Sequence, residues 1–317
     1  MTKKSQELQE VSIRYFLEVV RGGSITAAAE QLGVAPSAIS RQIARLEKTL
    51  DTLLFERRAR GMIVNAAGEL LAAHARRQQQ DADRVITEML ALRGLRQGRI
   101  HIVSTSGFAS DFLPAVITFF RQRYTGIEFQ LTVCKPSEVP KHIREGDGDI
   151  GVTLGLSPDP GVRLQFRHPA SVLAITSAEH PLARRRQLSV AEVVAYPLAL
   201  AEESSDTTLR QLFDICCSRQ NLQYKTVLTS NDLNALISFA AQGGGITLCG
   251  ELAVRGRIEA GNVRAIPLRD REMNERFMEV QTLAGRMLPT VCQAFLRYLQ
   301  QAIMGAPMEA LNKEENL

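Results

Sequence analysis

The sequence predicts an α/β multidomain fold, in which a small helical domain comes first, a long helix follows and two α/β subdomains form the rest. Three observations support this prediction. Helical patterns of apolar residues crowd the N-terminus, a long stretch without proline follows them, and strand and helix patterns then alternate almost to the end. With 317 residues, the chain is long enough for two or three domains. The predicted boundaries are 1–65 for the first domain, 66–93 for the long helix, 98–304 for the α/β region and 305–317 for a disordered tail.

Three short helical patterns follow one another in the N-terminal domain. Gly22 and Gly23 end the first pattern, and Ser24 is a suitable N-cap for the second. Gly33 provides a tight turn, after which Pro36 suits the first turn of a third helix. Two helices joined by so short a turn indicate a helix-turn-helix motif.

The third helix carries an apolar stripe on one face and small polar and basic residues on the opposite face. Short side chains near its N-terminus could approach base edges closely, and arginine could reach a guanine edge or a phosphate. Such a face alone is more often simply solvated, but the preceding helix and turn favour a DNA-contacting role. The candidate DNA-binding residues of this helix are Ser37, Ala38, Ser40, Arg41, Gln42 and Arg45.

An arginine-rich turn after the third helix predicts a two-stranded wing. Arg57, Arg58 and Arg60 lie at this turn, where they could contact phosphates or enter a minor groove. The chain has a net charge of +4, and residues 1–97 hold 15 of its 38 basic and 11 of its 34 acidic residues. The excess of positive charge therefore lies in this part of the chain, which favours a polyanionic partner.

The long helix has a seam of mostly apolar positions that alternate steps of four and three residues, as in a coiled coil. Gln78 is the one polar member of this seam. The seam must be buried either against the protein's own body or against the same helix of a second subunit, and we favour the second subunit. Dimerisation also suits DNA recognition, because one helix-turn-helix contacts few base pairs. The predicted dimerisation residues are Leu71, Ala75, Ala82, Val85, Met89 and Leu92.

Strand and helix patterns alternate through the C-terminal two-thirds and predict an α/β region with mainly parallel sheets. In open α/β sheets, ligands bind beyond the carboxyl ends of strands and near the N-termini of helices. Four polar segments meet this condition and could hold a carboxylate or similar group, although each of their residues could equally be a simple N-cap. The candidate ligand-binding residues are Thr105, Ser106, Gly107, Lys135, Ser137, Ser204, Ser205, Asn231 and Asp232.

Several stretches of the first 70 residues resemble the LysR-type transcriptional regulators, and the resemblance continues more weakly to about residue 300. It implies a winged helix-turn-helix, a dimerisation helix and an effector domain similar to periplasmic binding proteins. The residues that carry it are Phe16, Ser24–Leu32, Ser37–Ile43, Leu46-Glu47, Leu54–Arg57, Arg60-Gly61 and Ala66–Gly68.

The resemblance also implies how the effector domain is divided and what it binds. Subdomain I would comprise residues 98–160 and 268–304, and subdomain II residues 161–267. A small-molecule effector would bind between them, with Thr105, Ser106 and Ser204 most clearly indicated, and Lys135 slightly favours an anion over other polar metabolites. The expected partners are double-stranded operator DNA with an interrupted palindrome and further copies of the chain, as a homodimer or homotetramer. RNA polymerase is a further candidate partner, and no cofactor, metal or catalytic residue is expected.

Three departures from the family pattern affect the DNA-binding domain. Pro36 stands where the family often has a glutamine that helps to recognise DNA, so base recognition would shift to the residues after it. Asp51 replaces a glycine after the third helix and tolerates a left-handed cap less well. Asn65 replaces a threonine at the start of the long helix and is an equally good N-cap.

Other classes of protein have weaker support. An enzyme with a DNA-binding appendage would need a catalytic motif, and we find no nucleophile elbow, zinc, phosphate-loop or dinucleotide pattern. A solute-binding protein disagrees with the basic N-terminal domain and with an N-terminus that does not resemble a secretory signal. A redox sensor on the same scaffold would need a cysteine pair, and the adjacent Cys216 and Cys217 lie in a predicted helix. The expected location is the cytoplasm, with reduced cysteines and no membrane span.

Overall fold

The computed structural model describes residues 11–58, 61–92, 98–155, 159, 161–202 and 208–305. The chain divides into two compact units, Met1–Ile86 and Thr87–Leu317. Four sequence predictions fall outside the described residues: the wing residue Arg60, the hinge after the long helix, the pair Ser204 and Ser205, and the tail beyond Gly305. Among the described residues, no helix is both long enough and apolar enough to cross a membrane.

The first unit is a three-helix domain with a β-hairpin. Phe16, Ile39, Leu46 and Leu54 are fully buried at its centre, where the apolar stripes of the helices meet. Each helix therefore turns its polar face outward. The elements are α1 (Val11–Gly22), α2 (Ile25–Leu32), α3 (Pro36–Leu50), β1 (Phe55–Arg58) and β2 (Gly61–Val64), with β1 and β2 antiparallel.

Capping residues set the ends of these helices. The Ser24 side chain accepts a hydrogen bond from the backbone N–H of Ala27 at 3.0 Å, and Pro36 is the first residue of α3. Asp51 ends α3 in the left-handed conformation with φ of 54°, so the aspartate adopts the glycine-like cap that we expected it to tolerate less well. Asn65 accepts a hydrogen bond from the N–H of Gly68 at 2.9 Å and so caps the following helix.

The following helix, α4 (Ala66–Leu92), begins inside the first unit. Leu71 and Ala75 are buried in the core of this unit, at 8% and 3% exposure. The prediction that these two residues pair with a second subunit is therefore wrong, because the first turns of α4 cover the three-helix domain. Further along, Ala82, Val85 and Met89 are exposed, and the side chain of Leu92 lies outside the described residues.

The second unit alternates strands and helices. Its strands are β3 (Gly98–Ser104), β4 (Ile127–Val133), β5 (Ile150–Gly155), β6 (Val162–Pro169), β7 (Val172–Thr176), β8 (Leu198–Ala201), β9 (Thr226–Ser230), β10 (Ile246–Gly250), β11 (Arg264–Pro267) and β12 (Phe277–Leu283). Its helices are α5 (Ser106–Ala109), α6 (Phe112–Arg123), α7 (Glu138–Glu145), α8 (Val190–Val193), α9 (Thr208–Arg219), α10 (Leu233–Ala241), α11 (Arg255–Glu259) and α12 (Thr290–Ile303). Short 3₁₀ turns occupy Glu251–Ala253 and Arg271–Asn274.

These strands form two five-stranded sheets, each with its own core. The first sheet has the order β4-β3-β5-β12-β6, and the second has the order β11-β7-β10-β8-β9. Phe120 and Phe295 pack edge to face in the core of the first sheet, with ring centroids 5.1 Å apart. Phe213 and Met273 are fully buried in the core of the second sheet. The region therefore consists of two subdomains, as predicted.

Two details of the sheets correct the sequence predictions. Each sheet has two parallel and two antiparallel strand pairs, so the sheets are mixed rather than mainly parallel. The strand Val162–Pro169 was expected in subdomain II, but it pairs with β12 in the first sheet. The first crossover therefore lies near Ala170 rather than at residue 161, because strand pairing between distant segments decides the boundary. The second crossover lies between Pro267 and Phe277.

Candidate functional site

One candidate site is the outward face of α3. Ile39 and Ile43 anchor this helix in the core, so the opposite face is directed to solvent. Ser37, Arg41 and Arg45 are exposed there. The predicted residues Ala38, Ser40 and Gln42 are partly exposed on the same helix. This arrangement gives the helix a short-chain N-terminal end followed by arginines, which suits insertion into a major groove.

The wing is positioned by a close backbone contact. The backbone N–H of Met62 donates to the carbonyl oxygen of Gly23 at 2.9 Å, which ties the hairpin to the turn between α1 and α2. Gly61 has φ of 131°, and a Cβ atom built on it would lie 2.6 Å from the same oxygen. Only glycine therefore allows this contact. The side chains of Arg57 and Arg58 lie outside the described residues, so their role remains a prediction.

The second candidate site is a cavity of about 650 Å³ in the second unit, lined by residues of both sheets and both crossovers. This is the size of a small-molecule site. Five of the residues predicted to bind a ligand line it: Thr105, Ser106, Gly107, Lys135 and Asn231.

Two predicted ligand residues are not among the lining residues. The Asp232 carboxylate accepts the backbone N–H of Asn234 at 2.9 Å, so its position is that of an ordinary N-cap. Ser137 is exposed at the start of α7 and makes no side-chain cap hydrogen bond there. Neither residue therefore has the position that the sequence rule for ligand sites predicted.

The cavity also contains polar residues that the sequence did not reveal, above all Arg276. This side chain is 2% exposed, and its Nε donates to the carbonyl oxygen of Ala170 at 3.1 Å. Its Nη2 atom is buried and has no hydrogen-bond partner among the described residues. Burial lowers the pKa of Arg276 to about 10, so the group is still a cation at neutral pH. His168, Glu202, Thr208 and Arg255 are further lining residues that we did not predict.

Thr105, like Thr208, has a buried hydroxyl in the cavity wall that lacks a partner among the described residues. It follows β3 directly and is 6% exposed. Its backbone carbonyl accepts from Phe108, whereas its side-chain Oγ1 meets no partner in the described part of the chain. A ligand with a hydrogen-bonding oxygen would satisfy this hydroxyl.

Two other charged groups at the cavity have an ionic or hydrogen-bonding neighbour. The Arg255 guanidinium lies 3.1 Å from a carboxylate oxygen of Glu251. The Glu138 carboxylate accepts the backbone N–H of Lys135 at 3.1 Å. Arg276 therefore differs from these groups, since its charge is buried and its Nη2 atom is unsatisfied.

The cysteines are in poor environments for redox chemistry. Cys216 and Cys217 are buried in α9, where burial raises their pKa values to about 12 and about 11. Burial also raises the pKa of the two cysteines that line the cavity, to about 11 for Cys134 and about 12 for Cys249. The reactive form of cysteine is the thiolate, which these environments disfavour. The geometry gives no support to the redox-sensor alternative.

Comparisons with known proteins agree with this division into two sites. A family model described as a bacterial regulatory helix-turn-helix protein of the lysR family matches residues 11–69. A second model, described as the LysR substrate binding domain, matches residues 93–303. A relative from Synechococcus elongatus, the probable HTH-type transcriptional regulator LrrA, is 30% identical over 287 residues, covering 89% of this chain and 93% of the relative.

Solved structures share the fold over nearly the whole chain. A full-length OxyR variant from Pseudomonas aeruginosa superposes with a TM-score of 0.71 at 17% identity, covering 96% of this chain and 98% of that chain. The full-length LysR-family regulator CbnR, solved in complex with its target DNA, gives a TM-score of 0.61 at 17% identity and covers 92% and 98%. With both family models matched in order, the chain belongs to the LysR family and is a DNA-binding transcriptional regulator.

Proposed function

We propose that this regulator contacts operator DNA through the exposed face of α3 and through its wing. The single observation that carries the proposal is the orientation of α3, whose buried isoleucines leave Ser37, Arg41 and Arg45 exposed on one face. Ser37 and Ala38 would approach base edges, Gln42 would assist them, and the arginines would bind guanine edges or phosphates. The wing arginines Arg57, Arg58 and Arg60 would add contacts to the phosphate backbone of the DNA.

The cavity of the second unit is the proposed effector site. Thr105, Ser106, Gly107, Lys135 and Asn231 support this assignment, since they surround a space of small-molecule size with hydroxyl, amide and ammonium groups. We expect a small polar or anionic metabolite rather than a nucleotide chain or a peptide. We propose no catalytic role and no cofactor for the site.

Self-association would use the second half of α4. Ala82, Val85 and Met89 are exposed there and continue the heptad spacing, so they would pair with the same helix of a second subunit. We propose a dimer on an interrupted palindrome, two dimers forming a tetramer, and RNA polymerase as a further contact. Because its partner is chromosomal DNA, we place the protein in the bacterial cytoplasm.

Footprinting of the full-length protein on the DNA upstream of its own gene tests this proposal. We expect protection of a two-fold symmetric region that weakens as salt rises. Arg41→Ala with Arg58→Ala should weaken the protection strongly and flatten the salt dependence by about one unit of slope for each phosphate that is no longer neutralised. Arg99→Ala, an exposed arginine of the second unit, is the matched control. If neither genomic nor random-sequence DNA is bound, the assignment of α3 is wrong.

A further inference from the structure

Arg276 lies at the point where the chain returns from the second sheet to the first. It follows the 3₁₀ turn Arg271–Asn274 and directly precedes β12. Its side chain is fully buried and contributes to the wall of the cavity. A buried arginine normally has a carboxylate or several carbonyl groups around it, because an unpaired buried charge is costly.

The backbone and side chain of Arg276 hold the other crossover. Its Nε donates to the carbonyl oxygen of Ala170, and the backbone N–H of Ala170 donates to the carbonyl oxygen of Arg276 at 2.9 Å. Ala170 lies between β6 of the first sheet and β7 of the second. The two segments that connect the subdomains thus contact each other through Arg276 and Ala170, next to the paired residues Phe277 and Pro169.

The far side of the guanidinium is buried in the cavity wall and has no protein partner among the described residues. Nη2 has no partner among the described residues, and it lies so close to Gly250 that a Cβ atom there would be 3.1 Å from it. Gly250 also lines the cavity. A glycine at this position therefore keeps the approach to Nη2 free of a side chain.

We propose that Arg276 binds an oxyanion of the effector, a carboxylate or a phosphoryl group, and couples this binding to the paired crossovers. The inference rests on the proposed effector site and names its ligand class. One edge of the guanidinium would bind the anion while Nε retains its hydrogen bond to the carbonyl oxygen of Ala170. The negative charge of the ligand would thereby stabilise the contact between the two crossovers. The unpartnered hydroxyl of Thr105 provides a second donor in the same cavity.

The rest of the cavity supports a small anion with a carbon skeleton. Leucine and methionine side chains form much of its wall, among them Leu154, Leu173, Leu248 and Met278. The nearby Arg255 and Glu251 balance each other and leave Arg276 as the buried cation with an unsatisfied donor in the described cavity wall. An ammonium ligand would be repelled by this group, and a neutral ligand would leave its charge unbalanced.

The test uses the thermal unfolding midpoint of the full-length protein. Inorganic phosphate and succinate are titrated as probes at constant ionic strength set by sodium chloride, beside methylammonium chloride as a cationic probe. We expect saturable stabilisation by at least one of the two oxyanions and none by methylammonium. Arg276→Gln should weaken the binding of the oxyanion at least about tenfold, which is the loss expected for one charge-assisted hydrogen bond. Arg264→Gln, an exposed arginine of β11 that does not line the cavity, should stay within about threefold.

Three results would overturn the inference: no saturable response to either oxyanion, a response to methylammonium instead, or an unchanged oxyanion affinity in folded Arg276→Gln. If that variant does not fold, Thr105→Val serves instead, since it removes a hydroxyl that has no partner in the described residues. This variant should weaken the binding of the oxyanion several-fold. Operator footprinting without any added anion separates a failure of the proposed DNA contact from a failure of the anion assignment. A footprint with no oxyanion response contradicts only the anion assignment, whereas loss of both also contradicts the proposed operator contact of α3.

Coupling to the crossovers has its own readout, which is hydrogen exchange of peptides that contain Ala170 and Arg276. In the wild type, the oxyanion should slow exchange in both peptides. Arg276→Lys keeps the charge but has a single ammonium, which cannot hold the anion and Ala170 in the same way. The Arg276→Lys variant should retain part of the affinity for the oxyanion, but the oxyanion should no longer slow hydrogen exchange in the peptide that contains Ala170. Equal slowing in wild type and Arg276→Lys would show that Arg276 binds the anion without coupling it to the crossovers, and would overturn that half of the proposal.

Discussion

Arg276 and Ala170 are joined by two reciprocal hydrogen bonds, one from the arginine side chain at 3.1 Å and one from the alanine backbone at 2.9 Å. The two residues are far apart in the sequence, and each lies where the chain passes between the sheets. The contact therefore joins the two passages directly beside the Phe277–Pro169 pair of the first sheet.

Arg276→Met should stabilise the protein in the absence of ligand. Burial lowers the pKa of Arg276 in the folded protein to about 10, below its usual value, so folding disfavours the protonated form and the free energy of unfolding increases as the pH rises through about 10. Removal of the charge relieves a cost of about 3 kcal/mol and loses a hydrogen bond worth about 2 kcal/mol. We expect a net gain on the order of 1 kcal/mol at pH 7, measured as the urea midpoint of the full chain. A decrease of more than about 1 kcal/mol would contradict this account.

Thr105→Val should also raise stability, because it removes a buried hydroxyl that has no partner in the described residues. The expected gain is about 1 kcal/mol in the free energy of unfolding. Thr153→Val is the matched control, since Thr153 is also a buried residue but its hydroxyl donates to the carbonyl oxygen of Pro136 at 3.3 Å. That variant should be less stable by about 1 kcal/mol. Equal effects in the two variants would show that the hydrogen bonding of Thr105 was wrongly assigned.

Gly61→Ala should destabilise the first unit and weaken operator binding. The new Cβ would collide with the Gly23 carbonyl at a φ of 131°, so the wing could not keep its contact with the turn between α1 and α2. We expect a cost of more than about 2 kcal/mol. Gly23→Ala has φ of 65° and free space around the Cβ, so it should cost only about 1 kcal/mol. Thermal unfolding and operator affinity are measured on both variants. Equal losses in Gly61→Ala and Gly23→Ala would contradict this role of the contact.

Two substitutions in α4 should separate stability from self-association. Leu71→Ala empties space in the core of the first unit and should cost about 2–4 kcal/mol without changing the oligomeric state of the folded protein. Val85→Asp places a charge on the exposed second half of the helix, where 45% of this valine is accessible, and should dissociate the dimer. Sedimentation velocity of the two variants gives the answer. A dimer that survives Val85→Asp would refute the assigned interface.

Glu192→Gln should lower the thermal midpoint at pH 7 and lose this effect in acid. Glu192 forms a capping box with Ser189, whose backbone N–H, together with Arg185, lowers the pKa of the carboxyl to about 2. The folded pKa lies below the unfolded value, so the contribution is complete above pH 4.5 and disappears as the pH falls towards 2. The exposed Glu259→Gln is the control. A difference between wild type and Glu192→Gln that stays constant down to about pH 3 would be inconsistent with this capping role.

The sequence was sufficient for those parts of the fold that local patterns determine. Ser24, Pro36 and Asn65 mark helix ends through short-range hydrogen bonds and backbone preferences, and the structure has these ends. The pairing of β6 with β12 was not predictable in this way, because it joins segments more than 100 residues apart. The same limit explains why the burial of Leu71 was missed, since a heptad pattern shows that a face is covered but not by which partner.

The cavity was predicted in part for a similar reason. Thr105, Ser106 and Lys135 follow strands directly, so the rule for α/β sheets identifies them. Arg276 lies in a run of mixed charges that resembles a solvated loop, and only the return of the chain to the first sheet buries it. Ser137 and Asp232 satisfy the same sequence rule, but the rule cannot tell a helix cap from a ligand contact.

The burial of Leu71 and Ala75 has a mechanical consequence for the DNA-binding domain. The cap at Asn65 and these two core residues fix the first three turns of α4 to the three-helix domain as one rigid piece. A torque applied further along α4 must therefore turn α3 with it, and no swivel exists at residue 65. Any joint that lets the DNA-binding domain change direction has to lie beyond Ala75, which makes the length of helix before that joint a lever arm for the recognition helix.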